Sequence, residues 1–109
     1  MHEIKAIIRR DRLERVIEAL RQIPDLPGIT VSTVTGFGRP QAGAVGAVEF
    51  GEIIMTKLEV VVPDTILAEA LATIRRIACT GHAGDGKVFV IPVEQAMKIR
   101  SDEHGVDAV

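Results

Sequence analysis

The chain predicts an α+β domain in which a four-stranded antiparallel sheet carries two helices on one face. Three observations predict it. Hydrophobic spacing switches from strand-like period two to helical period and back, twice along the chain. The two strand–helix–strand halves, about residues 3–35 and 53–93, have similar lengths. The 109 residues suit one domain and leave no room for a second. With right-handed crossovers, this order is the ferredoxin-like βαββαβ arrangement.

Ile4-Lys5-Ala6-Ile7-Ile8 reads as the first strand. Asp11 lies three residues before Glu14, a capping-box-like start for a helix whose apolar positions are Leu13, Val16, Ile17, Leu20 and Ile23. Pro24 and Pro27-Gly28 stop it. Ile29 to Val34 is β-branched except at Ser32 and reads as the second strand. From Gly36 to Gly51 the chain alternates glycine with small residues, has too little apolar bulk to pack itself, and is expected to be a mobile loop. Ile54, Thr56, Leu58, Val60 and Val62 then alternate around Lys57 and Glu59, so the third strand buries one face.

Pro63-Asp64 ends that strand and caps a second helix, whose stripe is Ile66, Leu67, Ala70, Leu71, Ile74, Ile77 and Ala78. Thr80 to Gly86 breaks it, and Lys87 to Val93 is the fourth strand. Ser101 to Val109 is polar, acidic and expected to be loose. Apolar residues occupy both sides of strands three and four. Burial against other copies is the simplest cover for the helix-free face, so a homo-oligomer is expected.

Composition excludes several classes. With 13 basic and 15 acidic residues the net charge is −2, which gives no basic face for nucleic acid. Three phenylalanines without Trp or Tyr make no base-stacking platform. Cys79 is the single cysteine, so there is no internal disulfide and no cysteine zinc framework. It continues the helix stripe and reads as packing. The N-terminal residues lack a signal-peptide pattern, and no apolar run approaches the ~18–20 residues that span a bilayer. A cytoplasmic protein is expected.

The most informative segment is Thr80-Gly81-His82-Ala83-Gly84-Asp85-Gly86-Lys87. Its glycines let backbone N–H groups converge on an anion, and Lys87 adds a positive charge. The bland alternative is a flexible turn with Gly81 as helix cap. A P-loop is rejected: Val88 replaces the required Ser/Thr, and the segment leaves a helix for a strand rather than the reverse. In Gly36-Phe37-Gly38-Arg39 the glycines permit close backbone approach and Arg39 can fork onto a phosphate or carboxylate. In Lys98-Ile99-Arg100, alternation puts both cations on one side of an extended segment. Each of these two alone reads better as solvated surface.

No catalytic set is visible. His2, His82 and His104 are scattered, and Glu49 and Glu52 lie in a loop that would not fix an acid/base pair. His104 with Asp102, Glu103 and Asp107 offers metal ligands but reads better as an acidic tail.

The chain resembles the PII signal-transduction family. The likeness rests on Ile4-Lys5-Ala6-Ile7-Ile8, Gly36-Phe37-Gly38-Arg39, Val61-Val62-Pro63-Asp64, and Thr80-Gly81 through Gly84-Asp85-Gly86-Lys87-Val88-Phe89-Val90. It covers nearly the whole chain except the long loop. The resemblance implies one PII-like domain over residues 1–109, forming a homotrimer, with a T-loop about 37–53, a B-loop about 80–87 and a C-terminal segment about 97–109. It implies ATP or ADP held between neighbouring subunits, with AMP as a further candidate and magnesium left open. Ile7, Thr30 and Val61 would line the adenine pocket beside Gly28. Gly36, Gly38 and Arg39 would lie near the phosphates, Gly84, Asp85, Gly86 and Lys87 would cradle them, and Lys98 and Arg100 would reach in from the adjacent subunit.

Departures from the family pattern bear on function. The loop is shortened and the chain has no tyrosine, so no residue carries uridylylation. Pro40 stands where a magnesium- and 2-oxoglutarate-binding glutamine is usual, with Gln41 one place late, and Met55 stands where a lysine is usual, with Lys57 two residues on. The expectation is a nucleotide-binding regulator without standard 2-oxoglutarate sensing, acting through its T-loop on a protein partner such as a membrane transporter or metabolic enzyme. Bicarbonate or another anion is a candidate effector, and the protein would meet a membrane only peripherally, through its partner. The alternatives are a nucleotide-hydrolysing enzyme and a metal-binding trimeric ferredoxin-like protein.

Overall fold

The computed structural model describes residues 1–38 and 51–109. Its elements are β1 (His2–Ile8), α1 (Leu13–Leu20), β2 (Thr30–Phe37), β3 (Glu52–Val62), α2 (Asp64–Ala78) and β4 (Gly86–Pro92), with 3₁₀ turns at Arg10–Arg12 and Gly105–Ala108. The strands pair antiparallel in the order β2-β3-β1-β4, as ferredoxin-like connectivity requires. The core follows from strand alternation. Ile4, Ala6 and Ile8 of β1 and Leu58, Val60 and Val62 of β3 turn one face toward the helices. Val16 and Leu20 of α1 and Ala70, Ile74 and Ala78 of α2 meet them there. Thr73, buried in α2, satisfies its hydroxyl by donating to the Glu69 carbonyl at 2.8 Å.

The helix-free face is mixed at β3 rather than apolar on both sides. It carries two ion pairs, Lys5–Glu3 at 3.7 Å and Lys57–Glu59 at 3.4 Å. The apolar surface that needs cover lies at the sheet edges. Pairing of Ala6 with Val88 and Ile4 with Val90 turns these valines to the helix side of β4, where they remain exposed. Phe89 and Ile91 are exposed on the other side. At the opposite edge, β2 leaves Val31 and Phe37 in solvent.

Local details correct the sequence expectations. Asp11 does not cap α1: the chain leaves β1 through the 3₁₀ turn, and Arg12 precedes the helix without any side-chain cap. Asp64 is the first residue of α2 rather than its cap. Its carboxylate accepts from His2 Nδ1 at 2.6 Å and pairs with the N-terminal ammonium at 3.1 Å. Those contacts, the His2 hydrogen bond first, hold its pKa below the ordinary value. Cys79 is exposed rather than packed, because the backbone there turns extended (φ −73°, ψ 124°) and leaves the phase of the α2 stripe.

Residues 96–105 fold back on themselves instead of lying loose. Lys98 N–H donates to Glu103 O at 2.8 Å, Gly105 N–H donates to Ala96 O at 2.9 Å, and positive φ at Asp102 and Gly105 supplies the reversal. Gly36 belongs to β2 and Glu52 opens β3. Most of the expected mobile loop, with Arg39, Pro40, Gln41 and Glu49, lies outside the described residues.

Candidate functional site

The Thr80–Gly86 loop is organised around Asp85. Its Oδ2 accepts from the backbone N–H of Thr80 at 2.8 Å and of Gly81 at 2.9 Å. Its Oδ1 accepts from the Thr80 hydroxyl and from Arg9 Nε, the latter at 2.9 Å. Arg9 Nη2 also donates to Ala83 O at 2.7 Å. The Thr80 hydroxyl, then Arg9, then the two amides hold the Asp85 carboxyl well below the usual carboxylate range. The carboxylate is therefore charged and occupied within the loop. It shapes the turn rather than offering a side chain to an anion.

The loop is also pinned to the sheet. Gly86 has φ +100°, and a Cβ there would lie 1.8 Å from the Ile7 carbonyl oxygen, so only glycine fits. Gly81 and Gly84 are left-handed as well. Successive amides in such a turn form a concavity suited to an anion.

Strand register builds outward from the loop. Lys87 pairs with Ile7, Ile7 with Lys57, and Lys57 with Ser32, one row across all four strands. Two ammonium groups thus flank Ile7 on the helix-free face. Lys57 is paired with Glu59 at 3.4 Å, whereas Lys87 has no ion pair among the described residues. Gly36 pairs with Ile53 at the loop end of β2, and Gly38 follows just beyond it. Beside them, Arg9, Arg10, Met55 and Gly84 line a hollow of about 440 Å³.

A second group of expected residues lies elsewhere. Gly28, Thr30 and Val61 line a recess of about 440 Å³ whose rim includes Glu3 and Glu59. Val61 pairs with Glu3, four residues along β3 from the Lys57–Ile7 pair, which is roughly 13 Å along the strand. One chain therefore brings Ile7 together with Gly84–Lys87, and Gly28 together with Thr30 and Val61, but does not join the two groups. The electrostatics differ as well. The first group presents amides and Lys87, with Arg9 paired to Asp85; the second presents Glu3 and Glu59, each paired with a lysine, Lys5 and Lys57, and so offers no uncompensated cation to a phosphate.

Lys98 and Arg100 are exposed on the folded 96–105 turn. The segment is not extended, so the expected same-side alternation does not apply. Arg9 is the residue of this loop network that sequence reasoning missed, and Thr80 was named only as part of the loop, without its bond to Asp85. The Arg9-Arg10 pair directly after the first strand was the signal for Arg9. Among the described residues, no group of three or more His, Cys, Asp or Glu could hold a metal ion. His104 Nε2 lies 3.1 Å from Asp102 Oδ1 within the turn. No helix among the described residues is long and apolar enough to cross a membrane.

Comparison with known proteins agrees with this fold. The family described as Nitrogen regulatory protein P-II matches residues 1–103. The nitrogen regulatory protein P-II of Bradyrhizobium diazoefficiens is 42% identical over 115 residues, covering all of both chains. That of Azospirillum brasilense is 41% identical with the same coverage. Among solved structures, Arabidopsis thaliana PII bound to citrate aligns with a TM-score of 0.83 at 35% identity, covering 99% of this chain and 91% of that one.

Proposed function

This chain belongs to the nitrogen regulatory protein P-II family, and from that premise we propose an ATP- or ADP-responsive regulator that works as a homotrimer. Its class is that of small-molecule-binding signalling regulators rather than enzymes. The nucleotide sits between two chains. Gly84 to Lys87 of one chain take the phosphates, with Gly36, Gly38 and Arg39 beside them, and Ile7 of that chain faces the base. Gly28, Thr30 and Val61 of the next chain take the base, and its Lys98 and Arg100 close on the phosphates.

The observation that carries this is the separation, within one chain, of an amide-rich loop bearing Lys87 from a recess whose two carboxylates are paired with lysines. An amide- and cation-rich loop favours phosphates. A recess rimmed by Glu3 and Glu59 favours an uncharged base. The exposed apolar residues at the two edges, Val31 and Phe37 on β2 and Val88 to Ile91 on β4, are surface that neighbouring copies would cover.

Nucleotide occupancy sets the state of the T-loop, about residues 37–53, which is presented to a protein partner such as a membrane transporter or metabolic enzyme. Met55 leaves the hollow at the loop base without a lysine from β3. Standard 2-oxoglutarate sensing is therefore lost, and bicarbonate or another small anion is the candidate effector.

Titration calorimetry with ATP and ADP, paired with light scattering, tests the proposal. The expected result is a mass of three chains, competitive binding of the two nucleotides, and weakening by Lys87→Ala and Arg100→Ala. No binding at millimolar nucleotide removes it.

A further inference from the structure

Residues 105–109 carry a feature that the phosphate chemistry leaves unexplained. The 3₁₀ turn Gly105–Ala108 starts from the left-handed Gly105 and is tied to the body by Gly105 N–H donating to Ala96 O at 2.9 Å. Val109 N–H donates back to Val106 O at 3.3 Å. The turn sorts its apolar residues. Val106 points to solvent at 54% exposure, while Ala108 and Val109 are half-buried and line the same recess as Gly28, Thr30 and Val61. Glu3 and Glu59 bring polar side chains to the rim, and Ala108 and Val109 add to the apolar surface of Pro27, Val60 and Val61.

We infer that Ala108 and Val109 form an apolar wall against which the nucleotide base packs, so that this segment determines affinity for the base and not for the phosphates. The inference rests on the proposed assignment of the recess to the base. The wall belongs to a folded unit that also carries Lys98 and Arg100. That unit is closed by Lys98 N–H donating to Glu103 O at 2.8 Å and Asp102 N–H donating to Lys98 O at 3.0 Å.

The test compares Val109→Ser with Val106→Ser, which changes an exposed neighbour in the same turn, by calorimetry with ATP and with ADP. Val109→Ser is expected to weaken both nucleotides by about tenfold, because both share the base and partial exposure of a valine-sized contact is lost. The ATP-to-ADP affinity ratio stays at its wild-type value, and Val106→Ser binds as wild type. Wild-type affinity in Val109→Ser overturns the wall while the proposed site stands. A loss that falls on ATP more than ADP, or an equal loss in Val106→Ser, also overturns it, since either shows the segment acting through the phosphates or through its own folding. If the wild-type protein binds neither nucleotide, the assignment of the recess itself fails, and the wall with it.

Discussion

Arg9 and Asp85 lie 76 positions apart, yet Arg9 Nε donates to Asp85 Oδ1 at 2.9 Å while its Nη2 donates to Ala83 O at 2.7 Å. One guanidinium at the end of β1 thus holds two points of the glycine-rich loop. An ammonium cannot reproduce that fork. Arg9→Ala is expected to weaken ATP binding by roughly tenfold through misplacement of the loop amides. Arg9→Lys is expected to recover little of it. Calorimetry on both variants checks this, and full recovery by lysine contradicts the fork.

Asp85 gives a pH prediction with a definite sign. Its folded-state pKa is depressed, so its contribution is fully present above the ordinary value of 3.8 and is lost as pH falls through the lower folded value. Asp85→Asn cannot titrate and places donors against the N–H groups of Thr80 and Gly81. The thermal midpoint of the wild type should exceed that of Asp85→Asn by a constant margin above about pH 5 and converge on it only in stronger acid. Convergence near neutral pH contradicts this role for the Asp85 carboxylate.

Gly86 and Gly28 make opposite predictions. A methyl at Gly86 meets the Ile7 carbonyl in a left-handed backbone and cannot be relieved by a side-chain shift. Gly86→Ala is expected to cost on the order of 3 kcal/mol in denaturant unfolding, by opening the β1–β4 pairing. Nothing lies within 4 Å of a Cβ at Gly28. Gly28→Ala is expected to leave stability within about 0.5 kcal/mol and to act on nucleotide affinity alone.

What was legible in the sequence was what local patterning encodes. Period two in Ile4-Ala6-Ile8 and Leu58-Val60-Val62 revealed the buried face, and the Gly-Asp-Gly-Lys run revealed the loop. The rest depends on distance or on phase. The role of Asp85 was only partly local: its bonds to Thr80 and Gly81 lie within the loop, but Arg9 is remote, and a carboxylate in a phosphate-like loop suggests ligand contact when its work is internal. Asp11 and Asp64 had capping spacing, but a 3₁₀ turn and the N-terminal ammonium decided their fates. Cys79 fell out of the helix stripe because one ψ angle changed. The fold of residues 96–105 depends on positive φ at Asp102, which composition does not announce.

The central claim is that each nucleotide is shared by two chains, and mixed assemblies test it most directly. Lys87→Ala weakens the phosphate half and Gly28→Trp fills the base recess, so each variant alone should lack sites of wild-type ATP affinity. Co-expressed in equal amounts, they should recover about one site in four, because a quarter of the interfaces then join an intact phosphate half to an intact base half. No recovery from assemblies shown to contain both variants, or ATP binding by a monomer, contradicts the account.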